Sequence, residues 1–339
     1  MKTKRFFIQR LFAVALAMAV TFFAALSFGC VKKDAEGSIK VVAPDGAPAL
    51  AIAKLIGENQ NFGYEKSQFL YSVVASSDIG GAMIKGEGDI MVMPVNAASK
   101  LYKSNQEDAY KMAGVITHGN LYIMSREELS LENLKGKVIG VIGEGLVPDL
   151  TLKATLTKNN IPFETGDTPI EGKAVLRYFA DASALMPMLK QKVLSVGLLP
   201  EPAATKLSSS VAPEYSFRLD LQELYNPSGK TYPQAVIMVK TSVIKKYPTI
   251  IGDIKSALEG VNGWIKENVE TAVNYVNGAL KDGVTPSLSA ANLSAQAIDG
   301  CKIYFEDSAS AKTSVKAYLD DLIAISAKSA AAVPDDFFA

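Results

Sequence analysis

The sequence predicts a two-lobed α/β protein, and three observations support this prediction. Short apolar runs alternate with helix-forming segments after residue 38, which is the pattern of βαβ units. A fresh series of such units starts at Val138–Gly143. The roughly 300 residues after the N-terminal segment exceed the usual size of one hydrophobic core. An apolar strand at Gln234–Val239 then returns to the first lobe, so two segments cross between the lobes, as in a hinged clamshell.

The first thirty residues have the features of an export signal. Met1–Arg10 carries four basic residues and no acid, and Leu11–Leu26 is apolar apart from Thr21. A basic start, an apolar stretch too short to span a membrane comfortably and small residues before Cys30 predict a secretory signal peptide over residues 1–30. The alternative is an uncleaved membrane anchor. Both interpretations hold the rest of the chain at the outer face of a membrane.

The composition beyond residue 30 excludes several function classes. The sequence has 35 basic and 35 acidic residues, and four of the bases lie in the signal, so the remainder carries a net charge of about −4. Because binding to phosphate backbones needs basic patches, we expect no nucleic-acid partner. Cys301 is the single cysteine after Cys30. A disulfide framework and a cysteine-based metal site are therefore not expected, and no cofactor is predicted.

The predicted first lobe opens with a strand, a turn and a helix. Ile39–Ala43 is a largely β-branched run, which predicts a buried strand. The segment Pro44-Asp45-Gly46 has the residues of a turn, and Pro48 suits the first turn of the helix that follows. Further strands are predicted at Gln68–Ala75 and Ile90–Met93, each followed by a helix. Because parallel strands end at the same edge of a sheet, the loops after them should form one ligand-binding rim.

The second lobe is predicted to begin near Met124–Ser125. From Lys245 onward the pattern predicts helices, over residues 248–268, 269–282, 288–299 and 308–327. The predicted organisation is therefore residues 38–123 with 232–339 as the first lobe and 124–231 as the second. In the second lobe, strands at Val138–Gly143, Ala174–Phe179 and Val193–Leu199 alternate with helices at Leu150–Lys158 and Ala182–Lys190.

Several short motifs, in this order, resemble those of the extracytoplasmic solute-binding proteins of ABC importers. The most similar group comprises the aliphatic-sulfonate, nitrate and taurine binders and the NMT1/THI5-like pyrimidine binders. Cys30 resembles the lipid-modified cysteine of bacterial lipoproteins, with Ser27 where the lipobox usually has Leu. The motifs are Pro44-Asp45-Gly46-Ala47-Pro48, Gly86-Glu87-Gly88-Asp89-Ile90, Leu134-Lys135-Gly136-Lys137-Val138-Ile139-Gly140, Glu201-Pro202-Ala203, Lys246-Tyr247-Pro248 and Pro334-Asp335-Asp336-Phe337-Phe338.

The resemblance implies a fold and a function. The fold would be a periplasmic-binding-protein type II clamshell, with two doubly wound lobes joined by two crossing segments. The protein would be a lipid-anchored extracytoplasmic monomer that closes on a small solute and delivers it to an ABC permease and its ATPase. It would not be an enzyme. The alternatives are a surface sensor or adhesin and an enzyme of the same fold, such as a pyrimidine synthase or a chorismate dehydratase.

Thirteen residues are candidates for ligand contact because they lie on the predicted rim or near the crossings. Several have a structural alternative: Ser76 as a helix N-cap, His118 as a hydrogen-bonded structural residue, the tyrosines as packing residues and Glu201 as a helix cap. The candidates in the first lobe are Asp45, Gly46, Ala47, Ser76, Ser77, Asn96 and His118. Those in the second lobe or at the crossings are Tyr122, Gly143, Glu144, Gly145, Glu201 and Tyr232.

The charges on the predicted rim favour a ligand that is not an anion. No arginine lies on the rim loops, whereas Asp45, Glu144 and Glu201 add negative charge. An anion buried beside three carboxylates would lose several kcal/mol. We therefore expect a neutral or amine-bearing solute, for example a pyrimidine-like heteroaromatic stacked on Tyr122 or Tyr232. A sulfonate, taurine or nitrate is the alternative.

Overall fold

The computed structural model describes residues 37–105, 108–226 and 231–339. The expected export signal and the lipid-attachment site at Cys30 lie outside these residues. Within them, twelve strands form two six-stranded sheets, and each sheet with its helices is one lobe. Among the same residues, no helix combines the length and the apolar character needed to cross a membrane.

Sheet 1 belongs to the first lobe, which we call lobe 1. It consists of β1 (Gly37–Pro44), β2 (Ser67–Val74), β3 (Ile90–Pro94), β4 (Tyr110–His118), β11 (Pro233–Lys240) and β12 (Ile303–Asp307). The order across the sheet is β12-β4-β11-β3-β1-β2. Strand β1 is parallel to β2 and β3, whereas β11 is antiparallel to β3 and β4. The three parallel strands therefore end at one edge, as the sequence pattern predicts.

Sheet 2 belongs to lobe 2. It consists of β5 (Leu121–Ser125), β6 (Val138–Ile142), β7 (Phe163–Thr165), β8 (Ala174–Phe179), β9 (Val196–Pro200) and β10 (Phe217–Asp220). The order is β10-β5-β9-β6-β8-β7. Strands β6 to β9 are mutually parallel, and β5 is antiparallel to both β9 and β10. The short strands β7 and β10 were not expected from the sequence.

Helices pack on both sheets. Those of lobe 2 are α5 (Val147–Lys158), α6 (Ala182–Lys190), α7 (Ala203–Lys206), a π-helical turn at Leu207–Val211 and α8 (Leu221–Tyr225). Those of lobe 1 are α1 (Ala47–Ala51), α2 (Ala53–Gly57), α3 (Ile79–Ile84), α4 (Val95–Leu101), α9 (Thr241–Lys246), α10 (Ile250–Leu258), α11 (Val261–Glu267), α12 (Val269–Gly278), α13 (Ala295–Gly300) and α14 (Ser308–Ile325). Single turns of 3-10 helix lie at Glu132–Leu134, Ala290–Asn292 and Asp335–Phe337.

The chain passes between the lobes twice. The first crossing is Gly119 and Asn120, because β4 belongs to sheet 1 and β5 to sheet 2. It therefore precedes the predicted boundary at residue 124. The second crossing leads from α8 to Tyr232, and residues 227–230 within it are not described.

The two lobes share one apolar cluster on one side of the crossings. Leu150 of lobe 2 and Tyr318 of lobe 1 are both buried in it, together with Tyr232. The Thr151 hydroxyl lies 2.6 Å from the Tyr318 hydroxyl, so α5 and α14 also form a hydrogen bond across the lobes. Because the contact is apolar and buried, it stabilises the packing of the two lobes against each other.

The C-terminal third differs from the helical pattern expected from the sequence. Ile303–Asp307 is a strand that pairs antiparallel with β4. Ile303 is buried in the core of lobe 1, whereas Tyr304 is 45% exposed. The long helix expected over residues 248–268 is interrupted at Gly260, whose φ of 69° lies in the left-handed region. The helix expected over residues 288–299 is shorter than predicted, because a single 3-10 turn at Ala290–Asn292 precedes a helix that begins at Ala295.

The last residues of the chain are held against lobe 1. The buried Phe337 ring packs edge-on against Tyr102 at 5.1 Å, and the Ala339 N–H donates to the Met112 carbonyl. Asn96 belongs to the same region, because its side-chain N–H donates to the Ser329 carbonyl at 3.1 Å. Asn96 is thus a structural tether for the C-terminal segment in this conformation.

The C-terminal segment should contribute measurably to stability. Replacing Phe337 with Ala removes a fully buried ring, which costs about 3–5 kcal/mol of unfolding free energy. Urea unfolding of both proteins measures this difference. As a control, Ile84→Ala at a position 58% exposed should change the same free energy by less than about 0.5 kcal/mol. A loss below about 1 kcal/mol for Phe337→Ala would show that the segment is not part of the core.

Candidate functional site

A groove of about 420 Å³ lies between the two lobes. A second depression of about 440 Å³ is lined by lobe 1 residues between Asn59 and Phe69, so it does not contact both lobes. Lobe 2 supplies one wall of the groove with Met124, Thr205, Ser208, Ser209, Ser216 and Arg218, and lobe 1 supplies the other with Ala291, Asn292, Ser294 and Gln296. A solute in this groove would contact both lobes at once.

The groove is lined mainly by neutral polar side chains. Five of the ten lining residues are Ser or Thr, and two carry carboxamides. Such groups both donate and accept hydrogen bonds, so they suit a polar solute. Arg218 is the one ionisable side chain among these ten residues. The character of the site therefore depends on what balances the charge of Arg218.

Arg218 is held between an acid and an aromatic ring. Its Nη1 lies 2.8 Å from Oε1 of Glu201, and its guanidinium carbon lies 3.6 Å from the centre of the Tyr122 ring. The Arg218 side chain is 22% exposed, and that of Glu201 is fully buried. The ion pair and the cation–π contact fix the guanidinium at the groove wall.

Glu201 lies inside the protein, with 1% of the residue exposed. Its carboxylate accepts hydrogen bonds from the backbone N–H of Thr205 at 3.0 Å and from the Thr205 hydroxyl at 2.8 Å. Glu201 thus bonds to a backbone N–H in the first turn of α7, whose N-cap residue is Pro202. The sequence analysis missed Arg218 because it lies on the short, unpredicted strand β10.

Asp45 positions the wall that lobe 1 contributes. Its carboxylate accepts hydrogen bonds at 2.8 Å from the N–H of Gly46 and from the N–H of Ser287. Ser287 lies three residues before the 3-10 turn Ala290–Asn292, whose Ala291 and Asn292 line the groove. Asp45 therefore acts on the groove through this segment.

The other predicted residues of the first rim lie near Asp45. The Ser76 hydroxyl donates to the Asp45 carbonyl, and the Ser77 hydroxyl donates to Asp78. Ser76 therefore makes no N-cap bond to α3, whose N-cap is Asp78. Gly46 has a φ of 102°, a value that favours glycine, and Ala47 is buried at the start of α1.

The rim of lobe 2 contains its own buried carboxylate, Asp149. This side chain is fully buried, and it contacts Lys153 at 3.0 Å and the Tyr178 hydroxyl at 2.9 Å. It also accepts the N–H of Gly145 at 2.8 Å. An intramolecular carboxylate thus occupies the place at the start of α5 where an anionic ligand would bind.

The remaining residues of this loop serve its conformation. Gly143 and Gly145 have φ values of 64° and 73°, in the left-handed region that favours glycine. Glu144 lies between them and is exposed. The loop is shaped by its glycines and by Asp149, and it does not line the groove.

His118 lies in the core of lobe 1. It is 2% exposed, and its ring is stacked on Tyr304 with 3.7 Å between ring centres. Its Nε2 lies 3.3 Å from the Glu306 carboxylate. Burial lowers the pKa of His118, and the Glu306 carboxylate opposes this shift. His118 therefore has the structural role that the sequence analysis left open as an alternative.

The two tyrosines expected to stack on a heteroaromatic ligand have covered rings. Tyr232 is 2% exposed and is stacked on Tyr318 at 5.1 Å between ring centres. Arg218 lies over the ring of Tyr122, and the Tyr122 hydroxyl contacts the Gly300 carbonyl at 3.4 Å. Burial raises the pKa of Tyr122 to about 12, so its hydroxyl is neutral. Neither ring offers a stacking surface in this conformation.

Hydrogen bonds continue from the groove into the crossings. The Gln234 side chain of lobe 1 donates to the Asn120 carboxamide at 2.8 Å, and Asn120 donates to the Glu201 carbonyl at 3.3 Å. The Glu201 N–H in turn donates to the Asn120 carbonyl. Hydrogen bonds thus connect the groove wall to the first crossing. A movement of the lobes about this crossing would therefore change the position of Glu201.

Comparison with solved structures identifies the fold of the chain. No protein-family model matches the chain, and no curated protein matches it. Among solved structures, the chain is similar to an ABC transporter from Parabacteroides distasonis, with 20% identity, a TM-score of 0.70, and coverage of 89% of this chain and 98% of that chain.

Two sulfonate-binding proteins also have this fold. The aliphatic sulphonate binding protein SsuA from Escherichia coli has 11% identity and a TM-score of 0.57, with 85% of this chain and 86% of that chain covered. The alkanesulfonate-binding protein SsuA from Xanthomonas axonopodis pv. citri, bound to MOPS, has 9% identity and a TM-score of 0.54, with 85% and 92% covered. The chain therefore has the periplasmic-binding-protein type II fold, which confirms the predicted fold class.

The burial of His118 predicts a dependence of stability on pH. The pKa of this histidine is lowered in the folded protein, so the unfolded chain binds more protons below its ordinary value of 6.5. The stabilising contribution is therefore complete above about pH 6.5 and is lost as the pH falls toward the folded pKa, with a slope of at most about 1.4 kcal/mol per pH unit.

This dependence is measured by urea unfolding between about pH 7 and pH 5.5, where His118 is the single histidine in the chain. The variant His118→Gln should show a flatter pH profile than the unaltered protein. Equal slopes in the two proteins would contradict the assignment.

Proposed function

We propose that this protein is the extracytoplasmic solute-binding component of an ABC importer. The observation that carries this proposal is the polar groove, which takes its walls from both lobes of a type II fold. The basic and apolar segment that ends at Cys30 supports export and anchoring by lipid at the outer face of a membrane. The structural similarity to an ABC transporter and to sulfonate-binding proteins supports the same function.

The proposed ligand is a small, neutral, polar solute. Arg218 and Glu201 balance each other at the wall, and the other lining groups are uncharged. Asp149 and Asp45 already accept the backbone N–H groups of the two rims. An amine would be repelled by Arg218 and would gain little from Glu201, whose oxygens are occupied. A heteroaromatic solute fits if it binds through hydrogen bonds, because the rings of Tyr122 and Tyr232 are covered.

A sulfonate is the second candidate, and Arg218 is the observation that favours it. Guanidinium groups bind tetrahedral oxyanions well, and Arg218 is partly exposed at the groove. No arginine was expected at the rim, whereas Arg218 lines the groove and offers an anion a partner. The remaining argument against an anion is the Glu201 carboxylate 2.8 Å from Arg218.

The proposed mechanism is capture followed by closure. A solute that bonds to Ser209 or Arg218 on one wall and to Asn292 on the other gains these contacts together when the lobes close. Differential affinity for the closed form shifts the equilibrium toward it, whereas equal affinity for both forms would shift nothing. The closed protein would then dock on a membrane permease with its ATPase.

The proposal is tested by a thermal-shift screen of the chain from Val31. The panel contains pyrimidines, riboflavin, sugars, polyols, amino acids, taurine and alkanesulfonates. A ligand that binds the folded state raises the melting temperature by mass action. We expect a neutral member of the panel to give the largest increase. A response to sulfonates alone would overturn the neutral ligand, and silence throughout would contradict the proposed function.

A substitution in the groove tests the location of the site. Ser209 is exposed and lines the groove, so Ser209→Trp should weaken binding of the identified solute at least about tenfold by filling space. Ser210 is the neighbouring exposed residue outside the lining, so Ser210→Trp is the matched control and should bind normally. Isothermal titration measures both affinities. Unchanged binding by Ser209→Trp would show that the solute binds elsewhere.

A further inference from the structure

We propose that Glu201 sets the charge selectivity of the groove by cancelling the charge of Arg218, so that the site selects neutral solutes and rejects anions. This inference rests on the proposed solute-binding function and adds the residue that determines its substrate class. Without the carboxylate, the same groove would present an uncompensated guanidinium beside hydroxyl and carboxamide groups. That combination binds oxyanions.

The Glu201 carboxylate is held in place by its neighbours. Its two oxygens receive the Thr205 N–H, the Thr205 hydroxyl and Nη1 of Arg218, at 2.8–3.0 Å. Lobe 1 packs closely against the same side chain. A Cβ placed on Gly300 would lie 2.8 Å from Cγ of Glu201 and 3.3 Å from the Tyr122 hydroxyl. Little room is therefore left for the carboxylate to turn away from Arg218.

Asp220 is a second acid near the ring on which Arg218 lies. Asp220, two residues along β10, adds a further negative charge near Tyr122, which contributes to the raised pKa of that tyrosine. The Asp220 carboxylate accepts the N–H of Gln222 and also bonds to the Gln222 side chain, so it too is fixed. Asp220 therefore adds a second fixed acid beside the ring on which Arg218 lies. An anion in the groove would be attracted by Arg218 and repelled by the Glu201 carboxylate paired with it.

The two members of the Arg218–Glu201 pair differ in their exposure to the groove. Arg218 is partly exposed and belongs to the lining, whereas Glu201 is fully buried behind it and does not line the groove. A solute would therefore meet the N–H donors of Arg218 without meeting the carboxylate. The site offers directional donors with little net charge, which suits a neutral acceptor such as a carbonyl, sulfonamide or hydroxyl oxygen.

The test uses two probes that differ mainly in charge, ethanesulfonate and ethanesulfonamide. The unaltered protein should bind ethanesulfonamide at least as tightly as ethanesulfonate. The variant Glu201→Gln keeps the shape of the side chain and one of its two acceptor oxygens for Thr205 while releasing the charge of Arg218. We expect the variant to bind ethanesulfonate at least tenfold more tightly than the unaltered protein does, with a much smaller change for ethanesulfonamide. Isothermal titration at fixed salt measures these affinities.

Two further variants complete the design. Glu223→Gln makes the same change of charge at an exposed position outside the groove, so it should leave both affinities unchanged. Glu201→Gln combined with Arg218→Gln should lose the gained affinity for ethanesulfonate, because the guanidinium is gone. If Glu201→Gln does not fold, the comparison of the two probes on the unaltered protein still tests whether the groove rejects anions.

The outcomes separate this inference from the function on which it rests. Tighter binding of ethanesulfonate than of ethanesulfonamide by the unaltered protein would overturn the inference and leave a solute-binding protein with an anionic ligand. An absence of gained anion affinity in folded Glu201→Gln would overturn it as well. Failure of the proposed function would appear separately, as the lack of any thermal shift across the solute panel.

Discussion

The ion pair between Arg218 and Glu201 is the interaction on which the candidate site depends. It joins β10 to the end of β9, and Glu201 also contacts α7, the first crossing and, through Gly300, lobe 1. Removing one partner of a buried pair leaves the other without compensation, which typically costs about 3–5 kcal/mol. The pair therefore holds the wall of the groove in place and sets its charge.

At the two rims, carboxylates of the chain itself accept hydrogen bonds from backbone N–H groups. Asp149 accepts the N–H of Gly145, and Asp45 accepts those of Gly46 and Ser287. Because free backbone N–H groups at the start of a helix are a common anion site, their occupation by these carboxylates leaves the polar groove as the place for a solute. The buried contact between α5 and α14 holds the two lobes together.

The sequence was informative where regular patterns govern the fold, and less so where tertiary contacts decide. The alternation of strands and helices up to Val239 predicted two lobes built of βαβ units, because the apolar runs correspond to buried strands. Strands β10 and β12 were missed because they are short and are stabilised by pairing with β5 and β4. Arg218 was missed with β10, and no local pattern relates it to Glu201. The one available signal was Glu201 itself, because a glutamate between two prolines at the end of a buried strand needs a basic partner.

The central claim is that a solute binds between the walls formed by Arg218 and by the segment at Asn292. A crystal structure of the protein with the solute that gives the largest thermal shift tests this claim most directly. The account predicts electron density in the groove, within hydrogen-bond distance of Arg218 and of Asn292, with the Arg218–Glu201 pair intact. Density at the rim around Asp45 and Ser76, with the groove unchanged, would contradict it.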